Sequence, residues 1–472
     1  MTGPERTFRR DVGTLLLGSL AAQALAILML PVLSRLYSPT DFGLLGTYLA
    51  IVGALGTLSL LRYDLAIALP EEDGEAAQVL ALCLGVLVVF AAVAGVCIWM
   101  GRAELAALLK TPALAVCAWM IPLGIVGWGG FQAMSAWASR RGHFKTLSGC
   151  IATQALGQSV AQACLRSLGQ AGLLAGSLFG QALGLLGLWR RAWKDESPLL
   201  CTITLNGVRQ AAARYWRFPA VAFWSGLVNV LNLHLPVLLF AGLYGEGFVG
   251  LYLLGFRVLQ LPLQLLGRSV AQVFFPEAAR SHRQEKLAER TKDLFHFLMQ
   301  MGFPTILLLG AAAPEVFHIV FGAGWEKAGE MAFWLAPWLA LVFITSPLSS
   351  LPFVVERQGR EFGIQVFMLV VRTGALLIGA QAGGEAGALA AFAVAGFVVR
   401  SAYLVWLLRT AGVQLSGQWP GIAGPVVEGV AAYCILMAVR HLVPGSLAVL
   451  AVAFLAAAYM LLTKVRLVRS HS

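Results

Sequence analysis

A succession of long apolar runs leaves this chain room for little else. Fourteen segments each carry about 20 mainly apolar residues, the length an α-helix needs to cross a hydrocarbon core of about 30 Å. They lie near residues 13–34, 44–69, 77–100, 113–134, 148–168, 170–189, 219–243, 248–272, 293–317, 331–354, 361–381, 386–408, 424–443 and 445–463. The composition agrees, since 59% of the 472 residues are hydrophobic and only 12% are charged, against roughly a quarter charged in soluble domains. Alternating ten-residue patterns of the kind that build outer-membrane barrels do not occur. The connecting segments are too short for a soluble catalytic domain. The expected fold is an all-α polytopic membrane protein with fourteen transmembrane helices.

A net charge of +11 would suit a nucleic-acid partner, but the positions of the basic residues speak against one. With the N-terminus inside, twenty-three of the 34 Lys and Arg fall on inward connections, from Arg6, Arg9 and Arg10 through Arg140, Arg141, Arg214 and Arg217 to Lys464, Arg466 and Arg469. Six fall outside: Arg35, Arg102, Lys110, Arg166, Lys327 and Arg440. This asymmetry is the positive-inside pattern and places both termini in the cytoplasm. One inward connection dissents with Glu71, Glu72, Asp73 and Glu75, but acids weigh little in orientation. The first apolar run exceeds a signal-peptide core, so it reads as a retained span despite Ala22-Gln23-Ala24. The seven cysteines sit mostly inside spans without C-x-x-C spacing and read as small packing residues. No metal site and no cofactor is expected.

Two pairs of segments echo each other. Leu30-Pro31-Val32-Leu33, followed by Leu36-Tyr37 and Phe42-Gly43-Leu44, matches Leu235-Pro236-Val237-Leu238, followed by Leu243-Tyr244 and Phe248-Val249-Gly250-Leu251. Trp119-x-x-Pro122 with Arg140-Arg141-Gly142-His143-Phe144 matches Trp334-x-x-Pro337 with Arg357-Gln358-Gly359-Arg360-Glu361-Phe362. The expected organisation is two pseudo-symmetric six-helix bundles, 1–200 and 201–410, with two further helices and a cytoplasmic tail over 411–472. Duplicated bundles are a transporter architecture.

Five arginines fall inside spans: Arg62, Arg257, Arg268, Arg372 and Arg400. Each costs roughly 2.5–3.5 kcal/mol at a helix centre, and Arg257, Arg372 and Arg400 lie too near mid-span to snorkel easily. Only Asp64 and Glu428 are expected as intramembrane acids, so the interior is net positive and suited to an anion. On a helix, Arg257, Gln260, Gln264 and Arg268 share an arc of about 80°. Gln365 shares a face with Arg372, Ser225 with Asn229 and Asn232, and Gln154 with Gln158 and Gln162. Such stripes face a cavity or act as interhelical hydrogen-bonding glue. Asp64 and Glu428 are candidates either for proton or sodium coupling or for counter-ions of arginine. Gly172, Gly176, Gly180 and Gly184 form a strip that predicts close helix packing, and the many prolines within spans predict kinks.

Several stretches resemble the oligosaccharide-lipid (Wzx-type) flippases of the multidrug/oligosaccharidyl-lipid/polysaccharide (MOP) superfamily. They are Leu36-Tyr37-Ser38-Pro39-Thr40-Asp41-Phe42-Gly43, Leu61-Arg62-Tyr63-Asp64-Leu65-Ala66-Ile67, Arg214-Tyr215-Trp216-Arg217-Phe218-Pro219, and the run from Gly250 through Arg257-Val258-Leu259-Gln260-Leu261-Pro262 to Phe275. The resemblance spans roughly residues 10–408 and implies two bundles around a cationic cavity in a bacterial inner membrane. It implies alternating-access transfer of a polyprenyl-diphosphate-linked oligosaccharide to the periplasmic leaflet, for O-antigen, capsule or exopolysaccharide synthesis. Membrane lipid and other polysaccharide-assembly membrane proteins are the further partners it implies. On this expectation Arg257, Arg372, Arg400 and Arg62 receive the diphosphate, while Gln260, Gln264, Asn229, Asn232 and Gln158 contact sugar or line the cavity. Arginine suits the task because its planar, permanently charged fork can bind phosphate oxygens bidentately. No G-x-x-x-x-G-K-[ST] loop is present for nucleotide hydrolysis, so an ion gradient or the membrane potential would drive the cycle.

Other readings stay open. The two extra C-terminal spans also fit a peptidoglycan-precursor flippase. A multidrug/ion antiporter of the same superfamily should favour intramembrane acids over arginines. A glycan polymerase or ligase should carry a large outward loop. The sequence therefore favours a transporter, not an enzyme.

Overall fold

A computed structural model describes residues 23–25, 27–263, 268–442, 449–457 and 459. No strand occurs among the described residues. The principal helices are α1 (Gln23–Leu36), α2 (Pro39–Leu58), α3 (Asp73–Met100), α4 (Met120–Arg140), α5 (Phe144–Cys164), α6 (Gln170–Leu200) and α7 (Leu205–Arg214). They continue with α8 (Phe223–Pro262), α9 (Arg268–Arg283), α10 (Leu287–Ala311), α11 (Glu326–Leu348), α12 (Gln358–Thr410) and α13 (Trp419–Leu442). Among the described residues, eight helical segments are long and apolar enough to cross a membrane. The fold is thus an all-α polytopic membrane fold.

Two of the long helices bend at glycines that fall between expected spans. Gly245 interrupts α8 with φ 80°, and Gly383 and Gly384 interrupt α12, the latter with φ 58°. Positive φ costs glycine little, so one unbroken helical assignment contains two apolar runs in each case. Pro304, Pro337 and Pro347 lie inside α10 and α11, and the non-helical φ/ψ values in the long helices fall at the glycines.

The chain divides into two compact units, Met1–Gly250 and Leu251–Ser472. In the first unit, α2 starts with a reciprocal cap. Ser38 Oγ accepts from the Asp41 amide at 3.3 Å and Asp41 Oδ2 accepts from the Ser38 amide at 2.8 Å, with Pro39 at the first helical position. The helix ends at Leu58, short of the expected 44–69 span. Leu61 and Arg62 turn left-handed, with φ 45° and 65°, and a 3-10 helix follows over Tyr63–Ala68. The glycine strip of α6 packs on the amide stripe of α5: Gly176 lies against Gln162, Gly180 against Gln158 and Gly184 against Gln154. Gly43 of α2 and Gly250 of α8, equivalent positions of the sequence echo, meet backbone to backbone; a Cβ on Gly43 would overlap the Glu246 carbonyl, and one on Gly250 the Pro39 carbonyl.

On the side assigned to the cytoplasm, ion pairs tie α3, α4 and α6 together. Asp73 pairs with Arg140 at 3.1 Å and with Arg141, while Glu196, 4% exposed, accepts from Arg141 Nε at 2.7 Å and from Trp137 Nε1 at 2.5 Å. The hydrogen bond to Glu196 outweighs desolvation and holds the Arg141 guanidinium above its ordinary pKa. These residues therefore fasten the helix ends together.

In the second unit, α13 and residues 449–457 are integral to the packing. Ala432, Leu436, Val449 and Ala453 share a buried cluster with Leu308, Ala311 and Ala312 of the α10 end. Beside it, Arg440 grips Glu315 with two contacts at 2.7 Å and donates to the Ala311 carbonyl at 2.8 Å.

Candidate functional site

The second unit gathers two of the expected arginines on α12. The Arg372 guanidinium carbon lies 4.3 Å from the Trp338 ring centroid and 4.5 Å from that of Phe392. The two rings meet nearly edge to face, 5.4 Å apart at 73°, and so form an aromatic corner for the cation. Trp338 also stacks on Phe256 at 6.0 Å, and Phe256 on Tyr252 at 5.5 Å. Arg257 is the next residue on α8. Gly396 lets α12 approach this closely, because a Cβ there would stand 3.0 Å from the Trp338 indole.

Arg400 sits 5.2 Å over the Tyr403 ring and is close enough to Arg372 for mutual repulsion. Tyr403 Oη donates to Glu361 Oε1 at 2.8 Å, and Gln365 Nε2 donates to the same oxygen at 2.7 Å. Gln365, expected beside Arg372, is therefore engaged one turn back with Glu361, an acid that the sequence reading did not place inside. The Nε atoms of Arg372 and Arg400 are buried without a hydrogen-bond partner among the described residues. Contact with a π-face offers a buried guanidinium about 2 kcal/mol but leaves its N–H edge unused. Two half-buried guanidinia with spare donors have the chemistry to receive an anion.

The stripe expected on one helix from Arg257 to Arg268 lies partly outside the described residues. Arg257 and Gln260 lie on α8, which ends at Pro262; Gln264 is outside the described residues, and Arg268 begins α9. Glu428 is half-buried on α13.

In the first unit, Arg62 caps the 3-10 helix and lies against Gly226, where a Cβ would stand 3.0 Å from its Cδ. Its Nε is buried without a hydrogen-bond partner among the described residues. Asp64 is 7% exposed; its Oδ2 accepts from Gln132 Nε2 at 2.8 Å, and its Oδ1 has no partner among the described residues. The helical argument that separated Arg62 from Asp64 does not apply, since α2 has ended before either. Asn229 is exposed on α8, and Asn232 Nδ2 donates to the Val228 carbonyl of its own helix at 3.0 Å. Gln158 packs by its Cβ against Gly180.

Sequence reasoning missed Trp338, Phe392 and Gln132. Trp338 follows Trp334-x-x-Pro337, already part of the repeat, and this was the available signal; Phe392 and Gln132 had none.

These features define a polytopic helical transporter fold with cationic groups inside. The same fold occurs in a structure of the lipid II flippase MurJ in an inward closed conformation. It aligns with a TM-score of 0.74 at 11% identity, over 96% of this chain and 99% of that one. An inward-facing multidrug resistance MATE transporter of the MOP superfamily aligns with a TM-score of 0.61 at 13% identity, over 84% of this chain and 94% of that one. A family model described as "Polysaccharide biosynthesis protein" matches residues 32–330. The chain belongs to this family. It is 24% identical to the succinoglycan biosynthesis transport protein ExoT of Rhizobium meliloti over 393 residues, 79% of this chain and 75% of ExoT. It is 28% identical to the lipopolysaccharide biosynthesis protein WzxC of Escherichia coli over 177 residues, which span 37% of this chain and 36% of WzxC.

Proposed function

We propose that the protein is a flippase that carries a polyprenyl-diphosphate-linked oligosaccharide from the cytoplasmic to the periplasmic leaflet, for cell-surface polysaccharide assembly. Its setting is the bacterial inner membrane, with fourteen spans in two six-helix bundles plus two helices, and both termini inside. The observation that carries the reading is Arg372, held in the corner of Trp338 and Phe392 with Arg400 nearby and its Nε unpartnered among the described residues. A diphosphate cannot cross hydrocarbon bare, and desolvated guanidinia replace the water it loses. Arg257, Arg372, Arg400 and Arg62 are assigned to the diphosphate; Gln260, Gln264, Asn229 and Asn232 to sugar contact or cavity lining. Asp64, buried with one oxygen unpartnered among the described residues, is assigned to proton or sodium coupling, and Glu428 is the second candidate.

The names of ExoT and WzxC support a surface polysaccharide as the product, against a peptidoglycan precursor or an organic cation as cargo. The test is lipid analysis of a strain lacking the protein. Fully assembled lipid-linked oligosaccharide should accumulate on the cytoplasmic leaflet. Unassembled or absent oligosaccharide would instead indicate a transferase, and accumulation of a peptidoglycan precursor would indicate the other flippase class.

A further inference from the structure

The arginines of α12 are accompanied by an acid. Glu361 stands in the first turn of that helix, where Glu361, Gln365 and Arg372 fall within an arc of about 40°, with Arg372 about 16 Å further along. Beyond the glycine break the chain returns alongside: Gly379 lies against the Gly387 carbonyl, and Tyr403 reaches Glu361. Glu361 Oε1 accepts twice, from Tyr403 Oη at 2.8 Å and Gln365 Nε2 at 2.7 Å. Its Oε2 is buried without a hydrogen-bond partner among the described residues. The ring of the same tyrosine, 1% exposed, carries Arg400 on its face at 5.2 Å. Tyr403 thus stands between an acid and a base that interact electrostatically and are each left with an unpartnered polar atom. Other charges are turned away from Glu361. Glu356, Arg357 and Arg360, which precede it, are exposed, as is Arg409 at the end of α12. The short helix Leu351–Val354 has no ionisable residue, and α11 has none from Phe333 to Leu348. On α10, Lys292 and Asp293 are exposed and His296 lies against Gly421 of α13. Arg400 is therefore the cation that supports the ionised form of Glu361.

An anion delivered to Arg400 reverses that support, because a nearby cation favours the charged form of a carboxylate and a nearby anion the neutral form. Arg372 and Arg400 together carry two positive charges. They match the two negative charges of a diphosphate esterified at both ends only when Glu361 is neutral. We propose that Glu361 takes up a proton at Oε2 when the diphosphate of the substrate engages Arg400, and releases it when the diphosphate leaves. The assignment rests on the flippase reading and adds a regulatory acid to the arginine site. A solvent proton forms the O–H bond at the oxygen that is free, while Oε1 keeps its two donors.

The full-length protein in nanodiscs of zwitterionic lipid is titrated with a polyprenyl diphosphate linked to a disaccharide, a probe whose own charge is constant through the neutral range. Calorimetry in buffers of different ionisation enthalpy reads affinity and proton uptake together. Wild-type protein should take up about one proton per ligand, and its Kd should weaken by up to about tenfold per pH unit as pH rises. Glu361→Gln keeps an acceptor for Tyr403 and Gln365. It should bind without proton uptake, with a pH-independent Kd equal to that of wild type at the acid end. Glu385→Gln, exposed beside the glycine break, should behave as wild type. If wild-type protein binds the probe without proton uptake, or if Glu361→Gln takes up the proton all the same, the Glu361 assignment is overturned and the flippase reading stands. If folded wild-type protein binds no such probe at any pH, the flippase reading falls and takes the assignment with it.

Discussion

Replacing Trp338 by Leu removes the larger wall of the Arg372 corner while leaving every charge in place. The indole holds the guanidinium at 4.3 Å, stacks on Phe256 at 6.0 Å and meets Phe392 at 5.4 Å. A desolvated cation–π contact contributes about 2 kcal/mol, and each ring pair about 0.5–1.5 kcal/mol. The ring pairs weigh mainly on stability. The cation–π contact fixes where the Arg372 donors point, and losing about 2 kcal/mol of that preorganisation should weaken substrate binding roughly 30-fold. Trp338→Phe keeps a π-face and should recover most of the loss; Arg372→Lys keeps the charge but loses the planar fork and should not. The assay is binding of a lipid-linked diphosphate to purified protein in nanodiscs, beside a melting curve that separates misfolding from misplacement. Wild-type binding by a folded Trp338→Leu protein, or by Arg372→Lys, would refute the claim that the aromatic corner presents arginine to the diphosphate.

Further outcomes follow from the packing and orientation. Gly43→Val places a side chain inside the Glu246 carbonyl and should abolish accumulation of folded protein on a fluorescence-detected sizing column; normal accumulation would show that α2 and α8 do not meet there. Arg440→Ala strands Glu315, which is 10% exposed against 27% for Arg440; it should cost about 2–3 kcal/mol, below the full penalty for a deeply buried pair because one partner is partly wet, read as a lowered Tm. Cys164 and Cys201 are both exposed, and the positive-inside pattern puts them on opposite sides. In single-cysteine variants, an impermeant maleimide should label Cys164 in intact spheroplasts and Cys201 only after permeabilisation; the reverse would invert the orientation.

The membrane class was legible because apolar length is a one-dimensional property, and the cationic interior because arginine is conspicuous in an apolar run. The helical face of Arg257 and Gln260 could be computed from spacing, and the longer stripe runs into 264–267, outside the described residues. The break after Leu58 was illegible. Leu61 and Arg62 are not turn formers, and their left-handed backbone is imposed by tertiary packing, with Arg62 against Gly226. The packing of Gln154, Gln158 and Gln162 against the glycine strip of α6 is likewise visible only in the folded chain, and among the described residues Gln162 alone of the three has a hydrogen bond to α6, to the Leu173 carbonyl at 3.0 Å. Trp338 and Phe392 lie 34 and 20 residues from Arg372 along the chain, so no helical periodicity links them to it, and the aromatic corner exists only after folding.

The most direct test of the central claim is leaflet-resolved accessibility of a lipid-linked oligosaccharide in proteoliposomes containing purified protein. With an imposed ion gradient or potential, wild-type protein should expose inner-leaflet sugar to an external probe, and the Arg257→Ala, Arg372→Ala double variant should insert normally yet leave it protected. Equal exposure with the double variant, or none with the wild type under any gradient, would contradict the account.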